Sequence, residues 1–166
     1  MSAYQHLIHP VPPVWDAHCE TLILGSFPSV KSREVGFFYG HPQNRFWRVL
    51  SRVLDCPLPA TIPEKREMLL THHIALWDVI AECDIVGSSD SSIHNARPND
   101  IAALIRGSRI SRVFVNGATA EKLYNAYLSP ILRLRAVHLP STSPANAAWS
   151  IERLTDAWRV IFYHGE

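Results

Sequence analysis

Four short apolar runs, each closed by a turn-forming or polar residue, constrain this chain more than any other feature. They read "LILG" (22–25), "ALWD" (75–78), "FVNG" (114–117) and "VHLP" (137–140). Apolar runs of this length without polar alternation mark strands buried on both faces. Helical patterns lie between them. Phe46, Val49, Leu50, Val53 and Leu54 recur at spacings of three and four, which predicts an amphipathic helix over 43–54 with Pro42 at its first turn. Thr61 and Glu64 form a capping-box pair for a helix running to about His73. Further helices are expected from Asn99-Asp100 to Gly107 and from Thr119 to Leu128. A last helix turns Trp149, Leu154, Ala157, Trp158 and Ile161 toward the core. The polar stretch "CDIVGSSDSSIHNARP" (83–98) reads as a long loop. Alternation of strand and helix implies a three-layer α/β/α domain over residues 1–166, built on a four-stranded, mostly parallel sheet.

Composition adds little to this frame. At 47% hydrophobic and 19% charged, 166 residues can bury one real core. A formal charge of +1 announces no basic field, yet leaves nucleic acid open, because backbone N–H groups and hydroxyls hold phosphates without adding charge. Cys19, Cys56 and Cys83 are scattered and odd in number, so they read as buried free thiols of a reducing compartment. The N-terminal stretch lacks the n- and h-regions of a signal peptide, and no apolar run reaches membrane-spanning length. The expectation is a soluble, cytoplasmic monomer without a membrane partner.

In open parallel sheets, ligands bind beyond the carboxyl ends of the strands. That rule gathers Gly25-Ser26-Phe27-Pro28, Asp78, Asn116-Gly117 and Pro140-Ser141-Thr142-Ser143 onto one rim. The stretch "GFFYGHPQNRFW" (36–47) adds Tyr39, His41 and Asn44. Rings to stack on, with amides and an acid to read an edge, suit a flat heteroaromatic ligand. The hydroxyls and free N–H groups of "LPSTSP" suit phosphate, or simply cap a turn. Each polar residue also has a plain alternative. Asn44 can cap a helix, Tyr39 can be an ordinary packed ring, Asp78 can pair with an Arg, and Asn116 can brace the Gly117 turn. Arg45 and Arg48 face solvent or phosphate. His72-His73 lacks a third ligand at useful spacing, so no metal site is expected.

Taken in order, "ILGSFPSVKSREVGFFYGHPQNRFWRVL", "ALWDVI", "VFVNG" and "LPSTSPANA" resemble the uracil-DNA glycosylase superfamily, and within it the hypoxanthine-DNA (deoxyinosine) glycosylase branch. The resemblance spans about residues 20 to 160. It implies the same three-layer fold, with DNA at the strand ends. It makes Gly25 to Pro28 the loop on which many relatives carry a water-activating Asp or Asn. Phe27 stands there instead and can neither accept a proton nor orient water. It gives the catalytic role to Asn44, base stacking to Tyr39 and base reading to Asp78, with Ser141 where relatives carry His or Asn. The segment after Ser141 resembles a loop that enters the duplex.

The combined expectation is a monofunctional glycosylase that hydrolyses deoxyinosine in DNA, with no cofactor and no metal. Asn44 is catalytic; Phe27, Tyr39, Asp78 and Asn116 bind the base; Gly25, Ser26, Pro28 and His41 support; Ser141, Thr142 and Ser143 contact DNA. The partner is DNA holding a deaminated base, flipped out or single-stranded. A uracil or thymine-mismatch glycosylase, a non-catalytic damage binder and a free-nucleoside hydrolase are the alternatives.

Overall fold

The structure, a computed structural model, describes residues 3–162. Its strands and helices follow in chain order: β1 (Gln5–Ile8), β2 (Thr21–Gly25), α1 (Val30–Val35), α2 (Phe46–Leu54), α3 (Ile62–Thr71), β3 (Ile74–Asp78) and β4 (Ile80–Ile85). Then come β5 (His94–Pro98), α4 (Ile101–Arg106), β6 (Arg112–Asn116), α5 (Ala118–Tyr127), α6 (Ser129–Leu132), β7 (Ala136–Leu139) and α7 (Ile151–Trp158). The four apolar runs form a parallel sheet of order β3-β2-β6-β7.

Alternation along each strand divides the core between two faces. Ile23, Leu76 and Phe114 point to one side, where Phe46, Leu50, Leu69 and Trp158 of α2, α3 and α7 cover them. Leu22, Leu24, Val113 and Val115 point to the other, against Ile101, Leu104, Ala120 and Tyr124 of α4 and α5. Each such side chain taken from water contributes roughly 1.5–3 kcal/mol, so the layers are held chiefly by this burial.

The second face also carries an antiparallel sheet of order β1-β4-β5, where a loop was expected at 83–98. Cys83 and Ile85 of β4 enter the core, while Glu82, Asp84, His94 and Arg97 carry polar side chains on the same two strands. No continuous apolar run announces them. The chain passes from β3 to β4 through Val79 alone, so Asp78 lies at the joint between the two sheets.

Three further corrections are local. Helix α2 begins at Phe46 rather than residue 43, because the Asn44 side chain accepts from the Phe46 N–H (2.9 Å) and caps it from outside. The short helix α1, capped by Ser29, was not expected. Trp149 precedes α7, which Ser150 caps, and lies half-buried beneath the Arg153 guanidinium (3.9 Å). Of the thiols, Cys19 and Cys83 are buried, whereas Cys56 is half-buried.

Candidate active site

Parallel register places Gly25 opposite Asp78 and Asn116 opposite Leu139, so the strand ends form one rim. A cavity of about 220 Å³ opens there. This lies below the roughly 300–1,000 Å³ of pockets that take drug-sized ligands and suits a single base. All the residues expected at the site line it: Gly25, Ser26, Phe27, Pro28, Tyr39, His41, Asn44, Asp78, Asn116, Ser141, Thr142 and Ser143. Gly25 is required for close approach. A Cβ there would stand 2.4 Å from Asp78 Oδ1 and 3.0 Å from the Tyr39 hydroxyl.

On one wall, two amides and a hydroxyl form a chain of fixed direction. The backbone N–H of Phe46 donates to Asn44, so the atom it meets is Oδ1. The backbone N–H of Thr142 fixes Asn116 Oδ1 in the same way (3.1 Å). Asn116 Nδ2 then donates to Thr142 Oγ1 (3.0 Å) and to the Tyr39 hydroxyl (3.2 Å). Thr142 Oγ1 in turn donates to Asn44 Oδ1 (2.9 Å). Both lone pairs of that oxygen are now used. The Asn44 Nδ2 group has no acceptor among the described residues, and Asn44 is one of the residues lining the cavity. Asn44 therefore presents a donor, not an acceptor.

Tyr39 stacks one face on Phe46, with centroids 4.1 Å apart and planes 15° apart. Its φ of 53° is left-handed, costly for a bulky ring and of the kind that accumulates at functional sites. Two bonds hold the loop in this state: Gly40 N–H to Ser32 Oγ (3.0 Å) and Trp47 Nε1 to the Phe38 carbonyl (3.1 Å). Burial, and secondarily the nearby Asp78, push the phenol well above its ordinary range, outweighing the Asn116 bond, so it stays protonated.

The opposing chemistry is acidic. Asp78 Oδ2 lies 2.7 Å from His9 Nε2, both side chains being almost fully buried. The Val11 N–H donates to His9 Nδ1 (3.2 Å), which makes Nε2 the protonated nitrogen and the donor to Asp78. His9 follows β1 directly, and its own N–H is bonded to the Ala81 carbonyl of β4. Phe27 packs edge-on against its ring (5.8 Å). A second carboxylate, Asp90, reaches the cavity from a turn between β4 and β5 and accepts from Ser26 Oγ (2.9 Å). Desolvation of its carboxyl group raises its pKa, the Ser26 bond opposes this, and the Asp78 charge adds to it.

His9, Asp90 and the cavity-lining Ser88 were missed, because the strands that bring them were missed. No local pattern marks His9 in the sequence. Two other residues sit differently from expectation. Thr142 is fully buried and spends its hydroxyl on the two amides, so its place is inside the wall rather than toward phosphate. Arg45 faces neither solvent nor phosphate: its guanidinium donates to the carbonyls of Ser143 (2.9 Å), Asn146 (3.0 Å) and Trp149. It clamps the loop after β7 onto α2. His41 is exposed at the mouth, its Nδ1 accepting from the Gln43 N–H.

Comparison with known proteins agrees with this geometry. The uracil DNA glycosylase superfamily model matches residues 12–162. A protein of Methanosarcina acetivorans named hypoxanthine DNA glycosylase is 34% identical over 158 residues, which cover 92% of this chain and 96% of the relative. A protein of the same name from Methanosarcina barkeri is 32% identical over 156 residues, 91% and 95% of the two chains. The solution NMR structure of a candidate uracil DNA glycosylase from Methanosarcina acetivorans superposes with a TM-score of 0.77 at 29% identity, over 95% of this chain and 100% of that one. With its parallel four-stranded sheet, its base-sized cavity at the strand ends and these matches along nearly its whole length, the chain belongs to the uracil DNA glycosylase superfamily.

Proposed function

We propose that the protein removes hypoxanthine from deoxyinosine in DNA by hydrolysing the N-glycosidic bond, leaving an abasic site. The nucleotide is extruded, since its glycosidic bond is out of reach within the stack; extrusion costs a few kcal/mol, least at a weak mispair. Tyr39, one face already on Phe46, offers its other face to the extruded ring. Asp78 Oδ1, the oxygen not bonded to His9, accepts the N1–H of hypoxanthine. Adenine carries a bare acceptor at N1 and is repelled by the same oxygen. His9 acts through Asp78, holding it in place.

Bond cleavage leaves positive charge on the sugar and negative charge on the departing base. The Asn44 Nδ2–H group strengthens its interaction as that negative charge grows. One preorganised donor of this kind is worth about 100- to 1,000-fold in rate. No lysine lines the cavity among the described residues, so nothing there offers Schiff-base chemistry with strand cleavage.

The observation that carries this reading is the Asn44 amide, locked as a donor inside a cavity sized for one base. The likeness to two proteins named hypoxanthine DNA glycosylase supports the choice of base. A duplex oligonucleotide with one deoxyinosine, treated with alkali after incubation, tests it. Cleavage at deoxyinosine and none at deoxyadenosine is expected; cleavage only of a deoxyuridine duplex would make the protein a uracil glycosylase instead.

A further inference from the structure

We propose that Asp90 is a further catalytic residue, the group that holds the attacking water and takes its proton. The inference rests on the glycosylase reading above and adds the step that Asn44 leaves undone. Hydrolysis needs an acceptor for the water. Asn44 Oδ1 already takes bonds from Phe46 and Thr142, and its remaining face only donates. Asn116 Nδ2 is spent on Thr142 and Tyr39, and its Oδ1, held by the Thr142 N–H, is a neutral amide oxygen that takes no proton. Phe27 has no polar atom.

Two carboxylates line the cavity among the described residues, and their settings differ. Asp78 is buried against Gly25, with Oδ2 on His9 and Oδ1 already assigned to the edge of the base. Asp90 lies on the exposed turn at the mouth, with Oδ1 fixed on Ser26 and Oδ2 without a partner among the described residues. The turn is itself pinned: Ser92 Oγ accepts from Val86 N–H (2.9 Å) and donates to the Ser89 carbonyl. A fixed carboxylate with one open oxygen, reachable by solvent and facing a base-sized cavity, is what water activation requires.

In the step so assigned, the water oxygen bonds to C1′ while the C1′–N9 bond breaks and its electron pair leaves with the base. One water proton passes to Asp90 Oδ2 and from there to the departed base or solvent. The sugar keeps the hydroxyl.

The charged and titratable groups around Asp90 are the Asp78 carboxylate, the Tyr39 phenol, the Cys83 thiol, His41 across the cavity, and Arg33, whose guanidinium holds the Pro28 and Gly87 carbonyls. Burial of the carboxyl group and the Asp78 charge raise the pKa of Asp90 despite the Ser26 bond. A base works only when deprotonated, so excision should rise with pH through an ionisation above the ordinary aspartate range.

The test is Asp90→Asn, which can still accept from Ser26 and so keeps the turn anchored. Single-turnover excision from a deoxyinosine duplex should fall by about 100-fold, the rising acid limb should vanish, and affinity for the same duplex should stay unchanged. A merely structural role would alter neither the rate nor the pH profile of this variant. A wild-type rate, or an unaltered acid limb, in Asp90→Asn overturns the assignment while leaving hypoxanthine excision standing. No excision by the unaltered protein overturns both readings.

Discussion

The two sheets reach the same cavity by opposite routes. The parallel sheet arrives through strand ends and the loops that follow them, and the wall it builds is neutral: Asn44, Thr142, Asn116 and the protonated Tyr39. The antiparallel sheet arrives from the side, bringing His9 after β1 and Asp90 from the β4–β5 turn to meet Asp78 at the joint. The neutral wall is oriented by backbone N–H groups, which do not titrate. The acidic wall is oriented by a histidine and a serine. One wall should thus be indifferent to pH, whereas the other responds through Asp90, whose carboxyl pKa is raised by desolvation.

Substitutions can break that contrast at three points. The largest loss belongs to His9→Leu. It strands the Asp78 carboxylate without its His9 donor inside the protein, which costs about 3 kcal/mol or more for a charged acceptor. Urea unfolding should show a lowered midpoint, and the surviving folded protein should discriminate deoxyinosine from deoxyadenosine poorly. Thr142→Val comes next. It removes the hydroxyl between the amides but leaves Phe46 N–H on Asn44, so stability should fall by about 1–3 kcal/mol. Excision should drop with no change in its pH profile, measured in single turnover. The smallest effect is expected from Asp84→Asn. Its partners His6 and Asn95 lie on the exposed face of the antiparallel sheet, away from the cavity. Thermal unfolding and excision should both match the unaltered protein. A clear loss there would mean that the sheet's outer face also shapes the site.

The same contrast explains what sequence could reveal. Buried parallel strands write themselves as "LILG" or "FVNG", since both faces must be apolar, and the strand-end rule then gathers Gly25, Asp78, Asn116 and Ser141 without coordinates. The strands β4 and β5 are half-exposed, so Glu82, Asp84 and Arg97 interrupt any apolar run. The other neighbour of β4, β1, lies more than seventy residues away in sequence. Pairing at that range leaves no local signature, and with it went His9 and Asp90. Arg45 was misplaced for a related reason: three backbone carbonyls of a distant loop satisfy it, and carbonyls carry no residue-type signal. The direction of the amide chain was also beyond sequence. It follows from two backbone N–H groups whose positions only the fold supplies.

The donor role of Asn44 is tested most directly by replacing it with aspartate. Asn44→Asp keeps an oxygen for Phe46 and Thr142, matches the shape of the amide, and exchanges only its N–H donor for a negative oxygen. Single-turnover excision of hypoxanthine should fall about 100- to 1,000-fold, as far as in Asn44→Ala, with duplex binding retained. If Asn44→Asp instead turns over at the unaltered rate, an acceptor serves at that position as well as a donor, and the account of this wall is wrong.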